Sequence, residues 1–380
     1  MKKIAVFLCG LMLISVVGCN NQPATDTNTT TATTIGAQST SATQEQTVGT
    51  QEQSTTVADT TANGQTTTKG QTTTNSVVAT TTKGQVQQPI VTTTRPKLQL
   101  DISGANIKTV GGKMHSTISG KNYTLKWIDD FEGTTLNTNN WTPSNDANYN
   151  NGELNYKRPE NIVVKDGTVT LFGKKENYKG KEYTGANMVS KNKVEYRYGK
   201  FEMLAKLPYG KGMWPAFWTM GVEEGWPWCG EIDIMEMIGD SDGGKWNFNG
   251  DSKFMATIHW CKPEATWETA YDKNKDKREI GFGSYALPGF VNSPDVTGIE
   301  KLADKFHIYG IEWSSTKIIS YIDNIKVGEV DITDPTMRVA FHQPHYMLVN
   351  LSIGGRWPGA PDETTVFPQK YIIDWIKIWQ

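Results

Sequence analysis

The chain has 380 residues and nearly balanced charge, with 38 Lys and Arg against 40 Asp and Glu. With no long basic run, it lacks the electrostatic footprint of a nucleic-acid binder. Length alone admits two or three domains, but all 13 Trp lie beyond residue 96 and the first 96 residues carry too little apolar material for a core.

Residues 1–18 read as a signal peptide: Lys2 and Lys3, an apolar run from Ile4 to Val17, then Gly18. The run is short for a membrane span. Its ending, "ISVVGC", resembles a lipobox, which would make Cys19 a lipidated mature N-terminus; plain secretion is the alternative. Residues 19–96 are rich in Thr, Gln, Ser and Asn, with "TTTKGQ" starting at both Thr66 and Thr80. A stretch that buries so little cannot offset its ordering entropy, so a disordered tether is expected. The expected location is therefore the cell surface, through an N-terminal lipid anchor in the membrane.

Residues 97–121 are weakly patterned and suit an irregular lead-in or an edge strand. Strand signals then follow quickly. "TVTLFGKK" (168–175) comes after an Asp-Gly turn at 166–167. In "KFEMLAKLP" (200–208), Phe201, Met203, Ala205 and Leu207 alternate with Glu202, Leu204 and Lys206. "KFHIYGIEWSSTKIISYIDNIKVGEV" (305–330) reads as three strands joined by two turns, and "YMLVNLSIGG" and "YIIDWIKIWQ" close the chain. Helical periodicity is scarce, and residues 261–300 lack clear periodicity and read as a long surface loop. The pattern predicts an all-β protein, a β-sandwich of jelly-roll type. Cys229 and Cys261 are the two cysteines beyond the signal and its lipobox, and the sequence leaves open whether they are bridged.

"CGEIDIMEMIG" (229–239) sets Glu231, Asp233 and Glu236 into an otherwise apolar run. In a regular strand Glu231 and Asp233 share a face and Glu236 points to the other. A β-bulge around Met235 would return Glu236 to their side. Trp214, Trp218, Trp226 and Trp228 stand upstream, and His259 and Trp260 downstream. Carboxylates among aromatic rings make up a sugar-binding cleft, in which rings stack on pyranose faces and acids bind hydroxyls. Two carboxyl groups flanking a scissile bond about 5–5.5 Å apart would hydrolyse a glycoside with retention.

Residues 122–380 resemble glycoside hydrolase family 16, specifically its laminarinase-type endo-β-1,3-glucanases. The resemblance rests on "YTLKWIDDFEG", "NYNNGELNY", "RPENIVVKDGTVTL", "YGKFEMLAKLPYGKGMWPAFWTMG", "WCGEIDIMEMIG", "ATIHW" and "LVNLSIGGRWPGAPDETTVFPQKYIIDWIKIW". It implies a concanavalin A-like jelly roll with a concave cleft, acting on internal bonds of a β-glucan polysaccharide; a monomer is expected, though the sequence does not give the oligomeric state. It makes Glu231 the nucleophile, Glu236 the general acid/base, and Asp233 the residue that hydrogen-bonds the nucleophile. Three carboxylates this close cannot all ionise cheaply, and catalysis needs the retained proton on Glu236. The resemblance also implies substrate contacts from Trp214, Trp218, Trp357, Asn151, Glu153 and His259. It implies no cofactor for catalysis, and one structural calcium held by Glu132, the Gly167 carbonyl and Asp374. Two positions depart from the family pattern, Asn187 where many relatives carry Arg, and Arg356 within "GGRWPG". The alternatives are another polysaccharide, such as a β-galactan, and a non-catalytic glucan-binding module.

Overall fold

The computed structural model describes residues 104–147, 151–239, 250–266, 282–292 (backbone) and 301–380. The signal peptide, Cys19 and the Thr-rich stretch lie outside the described residues.

The strands form two antiparallel ladders. The first runs Phe282–Asn292, Lys253–Cys261, Glu231–Glu236, Met213–Gly221, His345–Ile353, Lys181–Val189, Thr142–Pro143. The second runs Ile325–Asp331, Lys317–Ile322, His307–Trp313, Gly199–Lys206, Gln369–Trp379, and the last of these also pairs with Asn122–Asp129 and Thr168–Tyr178. The hairpin from Thr168–Tyr178 into Lys181–Val189 joins the two ladders. Among the described residues the α-helical content is one turn, Arg338–Phe341.

One core lies between the ladders. Ile232, Ile234 and Met235 of the first meet Phe201, Met203, Ile376 and Ile378 of the second. The rings of Phe254 and Tyr309 cross this interface at 5.5 Å. The alternation of Phe201, Met203, Ala205 and Leu207 is thus the core face, as the period of two dictates. The Asp166–Gly167 pair, both at positive φ, turns the chain between Ile162–Lys165 and Thr168–Tyr178. The three strands expected within 305–330 form as His307–Trp313, Lys317–Ile322 and Ile325–Asp331.

The loop expected over 261–300 is corrected in part, because Phe282–Asn292 is a strand paired with Lys253–Cys261. Its Pro288 falls where the pairing register shifts, a place that tolerates the loss of a ladder donor. The thiols of Cys229 and Cys261 are free and buried.

The outer face of the second ladder is also buried, and the lead-in segment covers it. Lys113–His115 pairs with Asn122–Asp129, and Met114, Tyr123 and Leu125 pack on Trp379. Beneath them lies a closed polar network. The Lys200 Nζ sits 3.0 Å from Glu202 and 3.6 Å from Glu312, and 4.2 Å above the ring of Tyr321. Glu202 accepts from Tyr321 Oη (2.9 Å) and Trp379 Nε1 (2.7 Å), and Glu312 from Ser116 and Tyr123. Lys377 Nζ donates to the carbonyls of Gly104 and Ala105. Each buried charge therefore has a partner, which is the condition for holding ions in a low-dielectric interior.

Candidate active site

The expected bulge is present. Between the Met213–Gly221 and Glu231–Glu236 strands, Trp218 pairs with Asp233 and Phe217 with Met235, so Ile234 has no opposite number. On the other side, Asp233 pairs with Thr257 and Glu236 with Met255, which leaves Ile234 and Met235 together facing one residue. The surplus residue on the Phe217 side is thus Ile234, one position before Met235. Both side chains are fully buried in the core, and their burial holds the bulge. Glu236 consequently shares the cleft face with Glu231 and Asp233.

The pairing registers lay out that face in rows. One row runs Asn187, Asn350, Ala216, Glu236, Met255. The next runs Val189, Leu348, Trp218, Asp233, Thr257, and a third sets Tyr346, Met220, Glu231 and His259 side by side. Trp214 donates from Nε1 to Glu236 Oε1 at 3.0 Å, and Trp226 from Nε1 to Glu231 Oε2. An indole N–H thus holds each outer acid, and both favour the carboxylate form. His259 Nε2 lies 3.4 Å from Asp233 Oδ2.

Burial and mutual repulsion raise the proton affinity of all three acids. Burial, then the Asp233 charge, pushes Glu231 up to about 8. Burial, then the Glu231 charge, pushes Glu236 up to about 7. Burial, then the Glu236 charge, raises Asp233 well above the usual carboxylate range. The three acids titrate as a coupled set, so their protons are shared among them.

The other expected contacts separate. Trp357 stands edge-on to Trp214, ring centres 5.5 Å apart and planes at 86°, which extends the aromatic wall from Glu236. Trp218 donates from Nε1 to Asn350 Oδ1 at 2.8 Å, which fixes its ring across the row of Asp233. The Asn151–Glu153 turn reaches the same wall through backbone. The Asn151 carbonyl accepts from Arg356 N at 2.8 Å. Gly355 has φ of +128°, and a Cβ there would press on the Asn151 carbonyl and Trp214; only glycine closes that junction. Glu153 is buried and its carboxylate accepts from the Asn151 N–H at 3.0 Å, so it braces its own turn. Asn187 donates to Ser144 Oγ at 2.9 Å, and its Oδ1 is buried without a hydrogen bond.

Trp226 and Asn350 are the site residues that the sequence reading left without a role. Asn350 carries a legible signal, a lone amide in the apolar run "YMLVNLSI". Trp226 stands in a loop, where no periodicity points. Away from the cleft, the Glu132 Oε1 faces Gly167, 3.4 Å from where a Cβ would sit. Asp374 lies at a register irregularity of the Gln369–Trp379 strand, next to Ile373, which pairs with Val169. The three expected donors are all oxygens, the ligand type a hard cation takes.

A family model described as "Beta-porphyranase A-D, GH16 domain" matches residues 125–380. A β-glucanase of Rhodothermus marinus is 29% identical over 273 residues, covering 67% of this chain and 85% of the relative. The clotting factor G alpha subunit of Tachypleus tridentatus is also 29% identical, over 261 residues, and there the match spans 67% of this chain but only 34% of the relative. Among solved structures, the endo-β-1,3-glucanase of Pyrococcus furiosus superposes with a TM-score of 0.56 at 31% identity, over 70% of this chain and 97% of that one. A jelly-roll sandwich, three acids gathered by a bulge and a family model spanning residues 125–380 lead to one assignment: the chain belongs to glycoside hydrolase family 16.

Proposed function

We propose that this protein is an endo-acting, retaining β-glucan hydrolase that cuts internal β-1,3 bonds, including those of mixed β-1,3/1,4-glucans. The observation that carries this reading is the bulge that sets Glu231, Asp233 and Glu236 on one cleft face, each outer acid held by an indole N–H. The names of the relatives, β-glucanase and endo-β-1,3-glucanase, support the substrate.

In this mechanism Glu231 attacks the anomeric carbon while Glu236 protonates the leaving oxygen. A covalent glycosyl-enzyme forms, and Glu236, now a base, activates the water that releases it. Asp233 hydrogen-bonds Glu231 and stabilises its arrangement through the cycle. Trp214, Trp357 and Trp218 supply faces for pyranose stacking.

The description of the family model favours a second reading, a β-galactan substrate, and a keratan-sulfate endo-1,4-β-galactosidase of Sphingobacterium multivorum is 24% identical over 280 residues. Product analysis on laminarin, lichenan and agarose separates the two. Oligosaccharides from laminarin with retained anomeric configuration are expected. Release from agarose alone would establish the galactan reading, and binding without release from any polymer a non-catalytic module.

Trp226→Phe removes the donor that favours the Glu231 carboxylate. Its kcat/KM is expected to fall about 10–100-fold at mildly acidic pH, since a hydrogen bond to a charged group is worth about 1.5–3 kcal/mol. The pH profile of the parent is expected to be bell-shaped, with its alkaline limb at pH 7–8, where the last shared proton leaves. In Trp226→Phe the acid limb moves to higher pH, because Glu231 now holds its proton more firmly.

We also propose a structural calcium on Glu132, the Gly167 carbonyl and Asp374, away from the chemistry. Adding Ca²⁺ to chelator-treated protein should raise the Tm of the parent and not that of Asp374→Ala. Lipidation of Cys19 is proposed from "ISVVGC"; Cys19→Ser should release the protein from the cell into the medium.

A further inference from the structure

We propose that the floor of the cleft is also a binding site for a divalent transition metal of the Zn²⁺ class, held by Glu231, Asp233 and His259, and that occupancy switches the enzyme off. One ligand atom from each of the three lies within 4.8 Å of the other two. His259 Nε2 and Asp233 Oδ2 are 3.4 Å apart. Ligands on a tetrahedral zinc with bonds of about 2.0–2.2 Å stand about 3.4 Å from one another, so this pair already has the edge length of a zinc site.

Asp233 points independently to a cation. It is 2% exposed, and its Oδ2 is buried without a hydrogen bond. His259 Nε2 at 3.4 Å makes no hydrogen bond of good geometry to it; a desolvated carboxylate oxygen left so is costly, and a metal between the two atoms satisfies it. The three ligands stand on neighbouring strands, Glu231 opposite His259 and Asp233 opposite Thr257, so the donors are preorganised rather than gathered from loops. One imidazole with two carboxylates suits zinc, and copper more strongly by the general affinity order. Trp226 takes one oxygen of Glu231, and the metal would take the lone pair that attacks sugar.

The metal site stands on this geometry alone, whereas loss of turnover on binding rests on the proposed glucanase reading. The test is calorimetric titration of the purified protein with Zn²⁺ in excess calcium, alongside the visible absorption of bound Co²⁺. Expected are one Zn²⁺ per chain, a tetrahedral-type Co²⁺ band, and turnover on laminarin lost in proportion to occupancy. His259→Asn should weaken Zn²⁺ binding at least about tenfold, the lower bound for disturbing a metal's supporting residues. Asp233→Asn serves as the second variant if the first misfolds. No one-to-one binding, or binding that both variants leave unchanged, would overturn the proposal. Both readouts survive in a protein that cleaves no glucan, so an error in the catalytic reading remains distinguishable.

Discussion

Glu231→Gln is expected to lower kcat on laminarin by at least about 10⁴-fold, with oligosaccharide affinity nearly unchanged, because an amide cannot form the glycosyl-enzyme. The same substitution is expected to stabilise the fold at alkaline pH. Folding raises the proton affinity of Glu231 from 4.5 to about 8, chiefly through burial. Between those values the unfolded chain is ionised while the folded one still holds its proton. Stability therefore falls as pH rises through that window and stays low above it. Glutamine removes the penalty, so the variant and parent should melt alike near pH 4 and diverge by on the order of 1–3 kcal/mol above pH 8. Paired calorimetry and rate measurements decide the matter. If Glu231→Gln were active, Glu231 would lose the nucleophile's role. If it were less stable than the parent at about pH 8.5, the raised proton affinity of Glu231 would be wrong.

The second large effect lies on the opposite sheet. Lys200→Met keeps the volume of the side chain and deletes the charge that sits between Glu202 and Glu312. Two carboxylates, each no more than 3% exposed, would then face each other without a cation. Breaking a buried pair in this way costs about 3–5 kcal/mol, which at about 2–4 °C per kcal/mol lowers Tm by roughly 10 °C. The activity of the folded fraction at 25 °C should not change, because Lys200 points away from the cleft. A shift within about 1 °C would mean that the network is solvated and the lead-in segment is not its lid.

Where side chains obey a simple period, the sequence was enough to read the architecture. The Phe201 to Leu207 alternation marks the core face, and Asp166–Gly167 marks a turn, because both signals are local. Phe282–Asn292 was not legible because Pro288 and Gly289 break the pattern of a strand that pairing with Lys253–Cys261 nevertheless enforces. In the site, the spacing of two and then three between the acids announced the bulge, since only an irregular strand puts Glu236 beside Glu231. The Trp226 donor was hidden because its approach depends on a loop path. The burial of Lys200, Glu202 and Glu312 was hidden for a similar reason. Alternation assigns them to the non-core face, and nothing local says that residues 104–125 will cover it.

That cover has a practical consequence for how the enzyme can be attached to things. The carbonyls of Gly104 and Ala105 are held by Lys377 on the outer face of the second ladder. The cleft opens on the far side of the first. A fusion partner or an immobilising surface joined directly at Gly104 is thus delivered to the back of the sandwich, which leaves the front open to a long polymer. Joined instead within the "GGRWPG" turn at 354–359, beside Trp214 and the Asn151 turn, the same partner would stand in the path of the substrate.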